Sequence, residues 1–302
     1  MRRRLTSPLL GLVIVAGLAA PVFAQGNGNG RPKAPRTTPA TPVTPGATPA
    51  VPPASGTDSA GVAGSVSFRQ FGAWLDDASA VAAGDGSISI GMGYWRLDGV
   101  SQTNAPTIGA GVGVTDRLQV TANVPFYRIS GVGRSASGLD DVYLGAKYTV
   151  LDPTLTLTEV GLAVSPVVEI LSPGAPGGRV HFVLPVSLEL RRAPFRAYGS
   201  AGYFTRGAVF TGAALEWTSP ASLVLTGAFT QSYAISDNTV LDSLAVARQR
   251  ADVTLSAAYP IATRAMAYGS VGRSLASAAD GGTSLSLTAG VAVGFRVRPT
   301  VP

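Results

Sequence analysis

From Ser87 to Phe295 the chain repeats one pattern, in which short runs of alternating apolar and small, polar or charged residues are separated by turn-rich breaks. In residues 88–92, for example, two isoleucines and a methionine alternate with serine and glycine. Because successive side chains of a strand point to opposite faces, this period of two gathers the apolar side chains on one face. Such a sheet either packs against a second sheet or closes in lipid around a polar lumen.

The lengths of the breaks favour the closed sheet. Twelve candidate strands are separated by breaks that alternate between short and long. Outer-membrane barrels have tight turns at one end and longer loops at the other, whereas a Greek-key sandwich has no reason to alternate in this way. Runs of about ten residues also suit a tilted crossing of the hydrocarbon core. The sequence therefore predicts an all-β fold, a transmembrane antiparallel up-and-down β-barrel of about 12 strands over residues 86–296.

The candidate strands are 86–96, 106–114, 117–128, 140–150, 158–170, 181–192, 195–205, 207–217, 221–233, 248–259, 265–274 and 284–296. The breaks predicted to be mostly short are 115–116, 151–157, 193–194, 218–220 and 260–264. Those predicted to be long are 97–105, 129–139, 171–180, 234–247 and 275–283. The break at Arg206 is the exception, because it is short where the alternation requires a long one.

The first 24 residues have the features of a secretory signal peptide. Three arginines at positions 2–4 precede an apolar stretch at 9–20 and a small-residue cleavage site that ends at Ala24. The chain contains no cysteine, which excludes a lipoprotein anchor and a disulfide framework. No later run reaches the roughly 18 apolar residues that a spanning helix needs. We therefore expect an exported protein of the outer membrane.

Residues 25–60 are predicted to be a disordered leader, rich in Gly and Asn and then in Pro. Two roles are open for it: an unstructured periplasmic leader, or a stiff tether whose cations contact peptidoglycan. Six of the 23 basic residues lie before residue 37, and the remainder equal the 17 acidic residues in number. Since the rest of the chain is balanced in charge, we expect no nucleic-acid partner.

Residues 61–85 form an N-terminal segment before the first strand. Its large apolar residues recur at helical spacing: Phe68, Phe71, Trp74 and Leu75. This spacing predicts a short amphipathic helix that lies across the barrel mouth or enters the lumen as a plug. An irregular segment packed on the barrel rim is the alternative. Asp76 and Asp77 would point in different directions on such a helix, so they are not interpreted as a catalytic pair.

Residues 138–148, with the sequence Gly-Leu-Asp-Asp-Val-Tyr-Leu-Gly-Ala-Lys-Tyr, and the upstream stretches 114–118 and 124–127 resemble a known family. This is the family of outer-membrane transporters labelled for the MetA pathway of phenol degradation. The resemblance covers residues 85–296 and implies a porin-like channel, of the 12-stranded type, that passes small solutes, including aromatic or hydrophobic ones. It carries over no site residues. Such barrels often end on an aromatic residue, whereas a tail at 297–302 follows Phe295 here.

The charged residues predicted to face the lumen are the candidate site of such a channel. By strand parity they are Lys147, Glu159, Glu169, Glu189, Arg191, Arg196, Glu216, Arg250, Asp252 and Arg273. Hairpin registers predict three close pairs: Glu159 with Arg191, Glu189 with Arg196, and Asp252 with Arg273. Such pairs either only compensate one another inside a small barrel or form a mixed-charge constriction that selects solutes.

Two other classes of function are alternatives to the channel. A hydrolase would need a nucleophile and a carboxylate beside His181, the only histidine, and no nucleophile elbow is found. We therefore expect no enzyme and no cofactor. A non-conducting structural or binding barrel is the second alternative. The expected partners are outer-membrane lipid, a small-molecule solute and the barrel assembly machinery.

Overall fold

A computed structural model describes residues 68–70, 73–97, 100–131, 134–153, 159–172, 179–205, 207–235, 249–275, 283 and 285–297. All of them belong to the second of the two units into which the chain divides, Pro42–Pro302. The predicted signal peptide at 1–24, the leader at 25–60 and almost all of the tail at 297–302 lie outside the described residues. In the described part, no helix is long and apolar enough to cross a membrane.

The described residues form sixteen strands. In chain order they are β1 (Phe68–Gln70), β2 (Ala73–Leu75), β3 (Asp85–Leu97), β4 (Val100–Thr115), β5 (Leu118–Gly131), β6 (Arg134–Leu139), β7 (Val142–Leu151), β8 (Val160–Val164), β9 (Val167–Ile170), β10 (Val180–Arg192), β11 (Phe195–Phe204), β12 (Ala208–Thr218), β13 (Val224–Ala234), β14 (Gln249–Ala262), β15 (Ala265–Ser274) and β16 (Leu285–Arg296).

Fourteen of these strands form one antiparallel sheet that closes on itself, because the first strand of the ring, β3, pairs with the last, β16, from end to end. Strands β6 and β7 pair with different halves of β5, and β8 and β9 pair with different halves of β10. Each of these two pairs of short strands therefore takes the place of one long strand in the ring. The ring therefore has the twelve positions that the alternation predicted. Strands β1 and β2 form a separate two-stranded hairpin.

The break between β8 and β9 lies at Pro166, which has no N–H to donate to a ladder. The break still bonds to both neighbouring strands: Ala146 N on β7 donates to Pro166 O at 3.0 Å, and Ser165 N donates to Pro185 O on β10 at 3.0 Å. A strand proline is thus accommodated without opening the barrel wall.

The burial of the strands is inverted relative to a water-soluble protein. On β10, Leu188 is 45% exposed on the outer face, while Ser187 and Glu189 on the inner face are 0% and 1% exposed. The same alternation runs round the ring, with exposed aliphatic residues outside and mostly polar or small ones inside. A closed sheet leaves no backbone edge unpaired, and its apolar outer face suits lipid.

Two breaks that were predicted to be long loops are strand instead. Residues 97 and 100–105 belong to β3 and β4, and residues 129–131 and 134–139 belong to β5 and β6. The prediction failed because polar runs were interpreted as loop. Gln102 and Asn104, for example, are buried on the inner face, where the Asp140 carboxylate accepts hydrogen bonds from both amides at 3.0 and 2.8 Å.

One aromatic residue lies across two glycines on the inner wall. Gly290 on β16 pairs with Gly91 on β3 and with Tyr268 on β15. A Cβ atom at Gly91 would lie 2.6 Å from Tyr268 Oη, and one at Gly290 would overlap the same phenol. The absence of side chains at these two positions therefore lets Tyr268 lie flat against the wall.

We expect Gly290→Ala to destabilise the barrel by about 1–3 kcal/mol, because the added methyl group must displace the Tyr268 ring. Urea unfolding in lipid vesicles, followed by tryptophan fluorescence, would measure the change. Gly227→Ala is the matched control, since its Cβ would meet Leu255 at an ordinary 3.7 Å. Equal stability of the two variants would contradict the proposed role of the glycine pair.

Candidate functional site

The residues that precede the barrel lie inside it. Residues 74–83, the lumen segment, contact inward-facing side chains on strands from β5 to β11, which only a chain within the ring can do. The carbonyl of Trp74 accepts a hydrogen bond from Ser200 Oγ at 2.5 Å, halfway along β11. Nearer β3, Val81 N donates to Gln119 Oε1 at 3.1 Å, and Ala83 N donates to Asp116 Oδ1 at 3.0 Å. One end of the barrel carries the short β4–β5 and β10–β11 turns and is called here the turn end, and the opposite end is called the loop end. The segment thus runs from the middle of the barrel to the turn end.

Trp74 is buried in a pocket of the wall, called here the aromatic pocket, which is formed by Tyr143, Val167, Val183, Phe204 and Phe210. Its ring lies 5.9 Å from that of Tyr143, and the rings of Phe204 and Phe210 meet edge to face at 5.8 Å. Such aromatic contacts add to the stabilisation by burial.

Beside the pocket, Lys147 on β7 binds the lumen segment through its ammonium group. Lys147 Nζ donates to Asp76 Oδ1 at 2.7 Å, to Asp77 Oδ1 at 2.8 Å and to the carbonyl of Ser79 at 3.1 Å. All three charged side chains are almost fully buried. Charge-assisted hydrogen bonds of this kind are stronger than neutral ones.

Arg196 on β11 connects the segment to the neighbouring strands β10 and β12 of the wall. Its Nη2 donates to Asp77 Oδ2, and its Nε donates to Glu189 Oε1 at 2.7 Å. Glu216 Oε2 lies 3.7 Å from Nη1 of the same guanidinium. The planar guanidinium can bind several carboxylates at once because its donors point in fixed, different directions.

Glu189 also binds the segment directly. Its Oε2 accepts hydrogen bonds from Ala78 N at 3.0 Å and from Ser79 Oγ at 2.8 Å. Arg191 completes the arrangement, donating from Nε to Glu189 Oε1 at 2.6 Å and from Nη2 to Ser79 Oγ at 2.7 Å.

These seven residues are called the charged cluster: Asp76, Asp77, Lys147, Glu189, Arg191, Arg196 and Glu216. The wall contributes three cations and two anions to it, and the segment contributes two anions. The net charge of the named residues is therefore −1 with the segment bound and +1 without it. Removing one member of a buried ion pair is costly, because the partner is left uncompensated.

Three further candidates lie inside the barrel but outside this cluster. Glu169 is buried near the aromatic pocket and accepts a hydrogen bond from Tyr143 Oη at 3.1 Å. Arg250 and Asp252 pair at 3.0 Å near the loop end of β14, where Arg250 also donates to Thr283 Oγ1.

Two candidates lie elsewhere, and their predicted pairs do not form as expected. Arg273 is exposed on the outer face, because the register sets it opposite Val253 while Asp252 lies opposite Ser274. Glu159 is exposed at the turn end, just before β8, and its described contact with Arg191 is a backbone hydrogen bond of 2.9 Å. The predicted pair of Glu189 and Arg196, in contrast, is formed.

Sequence reasoning missed the acidic residues of the segment. The predicted helix is wrong where the segment is described: Phe68–Gln70 and Ala73–Leu75 are strands. Trp74 and Leu75 are both buried, but in different apolar clusters. An extended chain that makes apolar contacts on both sides therefore has the same spacing of apolar residues as an amphipathic helix. In this conformation Asp76 and Asp77 converge on Lys147. The sequence feature that could have indicated this site is the adjacent pair Asp76 and Asp77 shortly after Trp74.

His181 lies on β10 near the loop end. Its partner across the strand pair is Glu169, while Ser187 lies six residues further along β10. Among the described residues, no group of three or more His, Cys, Asp or Glu could hold a metal ion.

Comparison with known proteins places the fold. No family model matches the chain, and no curated protein matches it significantly in sequence. An outer membrane channel from Pseudomonas putida F1 is similar in structure, with a TM-score of 0.52 and 15% identity over 72% of this chain and 98% of that one. The NanC porin has a TM-score of 0.50 and 10% identity over 68% of this chain and 98% of that one. The chain has the fold of outer-membrane β-barrels.

This fold and the apolar outer face together place the barrel in the outer membrane. Its short turns then face the periplasm. The narrower resemblance of residues 138–148 to the family labelled for phenol degradation stays a prediction.

Proposed function

We propose that the protein is a passive channel for small solutes in the outer membrane, with a lumen narrowed by its own N-terminal segment. The observation that carries the proposal is the asymmetry of the inner wall. Large and charged side chains lie on β7 and β10–β12, where the segment binds. Trp95, Gln102 and Asn104 fill the inner face near the loop end, and Tyr268 covers Gly91 and Gly290. Elsewhere the inward positions on β3, β4 and β16 are small: Ser87, Ser89, Gly109, Gly111 and Thr288. Small residues leave room beside the segment for a solute.

The solute class is proposed from the aromatic pocket and the charged cluster. An apolar pocket beside fixed charges suits small solutes with an aromatic or hydrophobic part. The resemblance to the phenol-degradation family points the same way. Seven of the ten charged candidates of the sequence take part. The five in the charged cluster form the proposed constriction, and Arg250 with Asp252 form a second charged site nearer the loop end.

A non-conducting barrel is the second candidate. The hydrogen bonds between the lumen segment and the wall favour it, because they close part of the lumen. In that case the barrel would serve a structural or binding role through its loops, with the leader contacting peptidoglycan.

Conductance across planar bilayers distinguishes the two. We expect the full-length protein to give discrete conductance steps, and Arg250→Gln to shift the ion preference towards cations, because a lumen cation beside Asp252 is removed. Arg273→Gln is the matched control, since this arginine is exposed on the outer face. A folded protein that stays silent would contradict the channel, and so would an equal shift in both variants.

A further inference from the structure

The lumen segment presents the wall with two chemical groups in a fixed order: an aromatic ring at Trp74 and then carboxylates at Asp76 and Asp77. The ring occupies the aromatic pocket, and the carboxylates bind Lys147 and Arg196. We propose that this stretch occupies a binding site for small aromatic carboxylates, and that such a molecule displaces the segment by competition. The binding rests on these contacts alone, whereas the opening of a passage rests on the proposed function.

The spacing of the two groups sets the size of the competing molecule. In an extended chain Trp74 and Asp76 lie on the same side, with Cα atoms about 6–7 Å apart. A phenyl ring joined to a carboxylate by a short alkyl chain spans a comparable distance. Phenylpropionate therefore has the groups needed for both halves of the site.

Charge gives the wall a preference for an anion. When the segment leaves, the wall residues of the charged cluster carry a net charge of +1, and Lys147 loses its three described hydrogen bonds to the segment. A carboxylate that enters restores compensation to these cations. A neutral aromatic molecule fills the pocket but leaves the cations uncompensated.

Competition also follows from where the segment lies. The ring and carboxylates of a bound solute would need the same wall atoms as Trp74, Asp76 and Asp77, so both cannot bind at once. A ligand that binds only the state with the segment displaced shifts the population towards it. The solute would thus regulate access to the lumen.

The test follows the environment of Trp74 and does not depend on conductance. The chain has three tryptophans, so the variant W95F/W217F leaves Trp74 as the only reporter. We expect phenylpropionate to shift the emission of the folded protein in detergent micelles to longer wavelength as Trp74 leaves its pocket. Propionate, which lacks the ring, and phenylpropanol, which lacks the charge, should have much smaller effects.

Weakening the contacts between the segment and the wall should let phenylpropionate displace the segment at a lower concentration. Added to the single-reporter protein, Asp76→Asn together with Asp77→Asn should lower the phenylpropionate concentration at half-effect about tenfold, because charge-assisted hydrogen bonds are lost. The single change D76N should have a smaller effect in the same direction and serves if the double variant does not fold. D85N is the matched control, since the partner of Asp85 is Arg296 outside the cluster.

Three results would overturn the proposal: no shift with phenylpropionate in any variant, an equal shift with phenylpropanol, or an equal shift with propionate. Each is distinguishable from failure of the proposed function. A response of Trp74 in a protein that never conducts would support the binding site and contradict the channel.

Discussion

Replacing Lys147 by methionine is expected to drive the lumen segment out of its site. The change leaves Asp76 and Asp77 buried without the ammonium group that both contact, at 2.7 and 2.8 Å. Removing one member of a buried ion pair costs about 3–5 kcal/mol. Because a charged segment regains hydration by leaving the wall, this cost falls on the bound state rather than on the barrel.

Labelling of a single cysteine would measure the displacement. The native chain has no cysteine, and Ala78 is fully buried in the segment, so Ala78→Cys gives a clean reporter. We expect a maleimide to label it at least about a hundredfold faster when Lys147→Met is added, as this free-energy change implies. In bilayers the same substitution should raise the conductance.

Arg250→Met is the control for this experiment. It breaks an ion pair inside the same barrel, but this pair lies near the loop end of β14, whereas the segment runs from mid-barrel to the turn end. The label should therefore remain protected there. Continued protection of the cysteine in the Lys147→Met protein would show that the ion pairs do not hold the segment.

The substitution Leu255→Arg is expected to destabilise the barrel in lipid by about 2–4 kcal/mol. Leu255 lies in the middle of β14 and is 66% exposed on the outer face. A charge at that depth must be moved out of water into the hydrocarbon core or reach an interface by local thinning of the bilayer. Reversible urea unfolding into lipid vesicles measures the effect.

Ile261→Arg is the comparison for this variant. It is 56% exposed and lies one residue before the end of β14, near the membrane surface. There the cost should fall to about 0–1 kcal/mol. Equal costs at the two positions would contradict the depth assigned to Leu255, and no cost at either would contradict a lipid-facing surface.

Much of the barrel could be predicted from sequence, because the alternation that places residues on its two faces is local. The register of a hairpin follows from its turn. It sets Arg196 opposite Arg191, so Glu189 and Arg196 could be predicted as diagonal neighbours on one face of the β10–β11 hairpin. Strand ends near the loop end could not be predicted. There the inner face is as polar as a loop, and Gln102 and Asn104 have no sequence feature that marks them as buried.

The contacts of the lumen segment could not be predicted for a different reason. They join residues far apart in the chain, such as Asp77 and Arg196, and no periodicity records them. Arg273 was assigned to the wrong face because one residue of error in a strand reverses every side chain.

The covalent link between the lumen segment and β3 sets the scale of any response. Only residues 78–84 separate Asp77 from the first barrel strand, so a displaced segment stays tethered beside its site. A short flexible tether holds its end at an effective concentration of order millimolar. A solute that competes with the segment must reach a comparable concentration to occupy half of the sites. The concentration needed is lower in proportion if the solute binds the wall more tightly than the segment does. Because of the tether, the proposed displacement of the segment would require a high solute concentration and would not occur at trace concentrations.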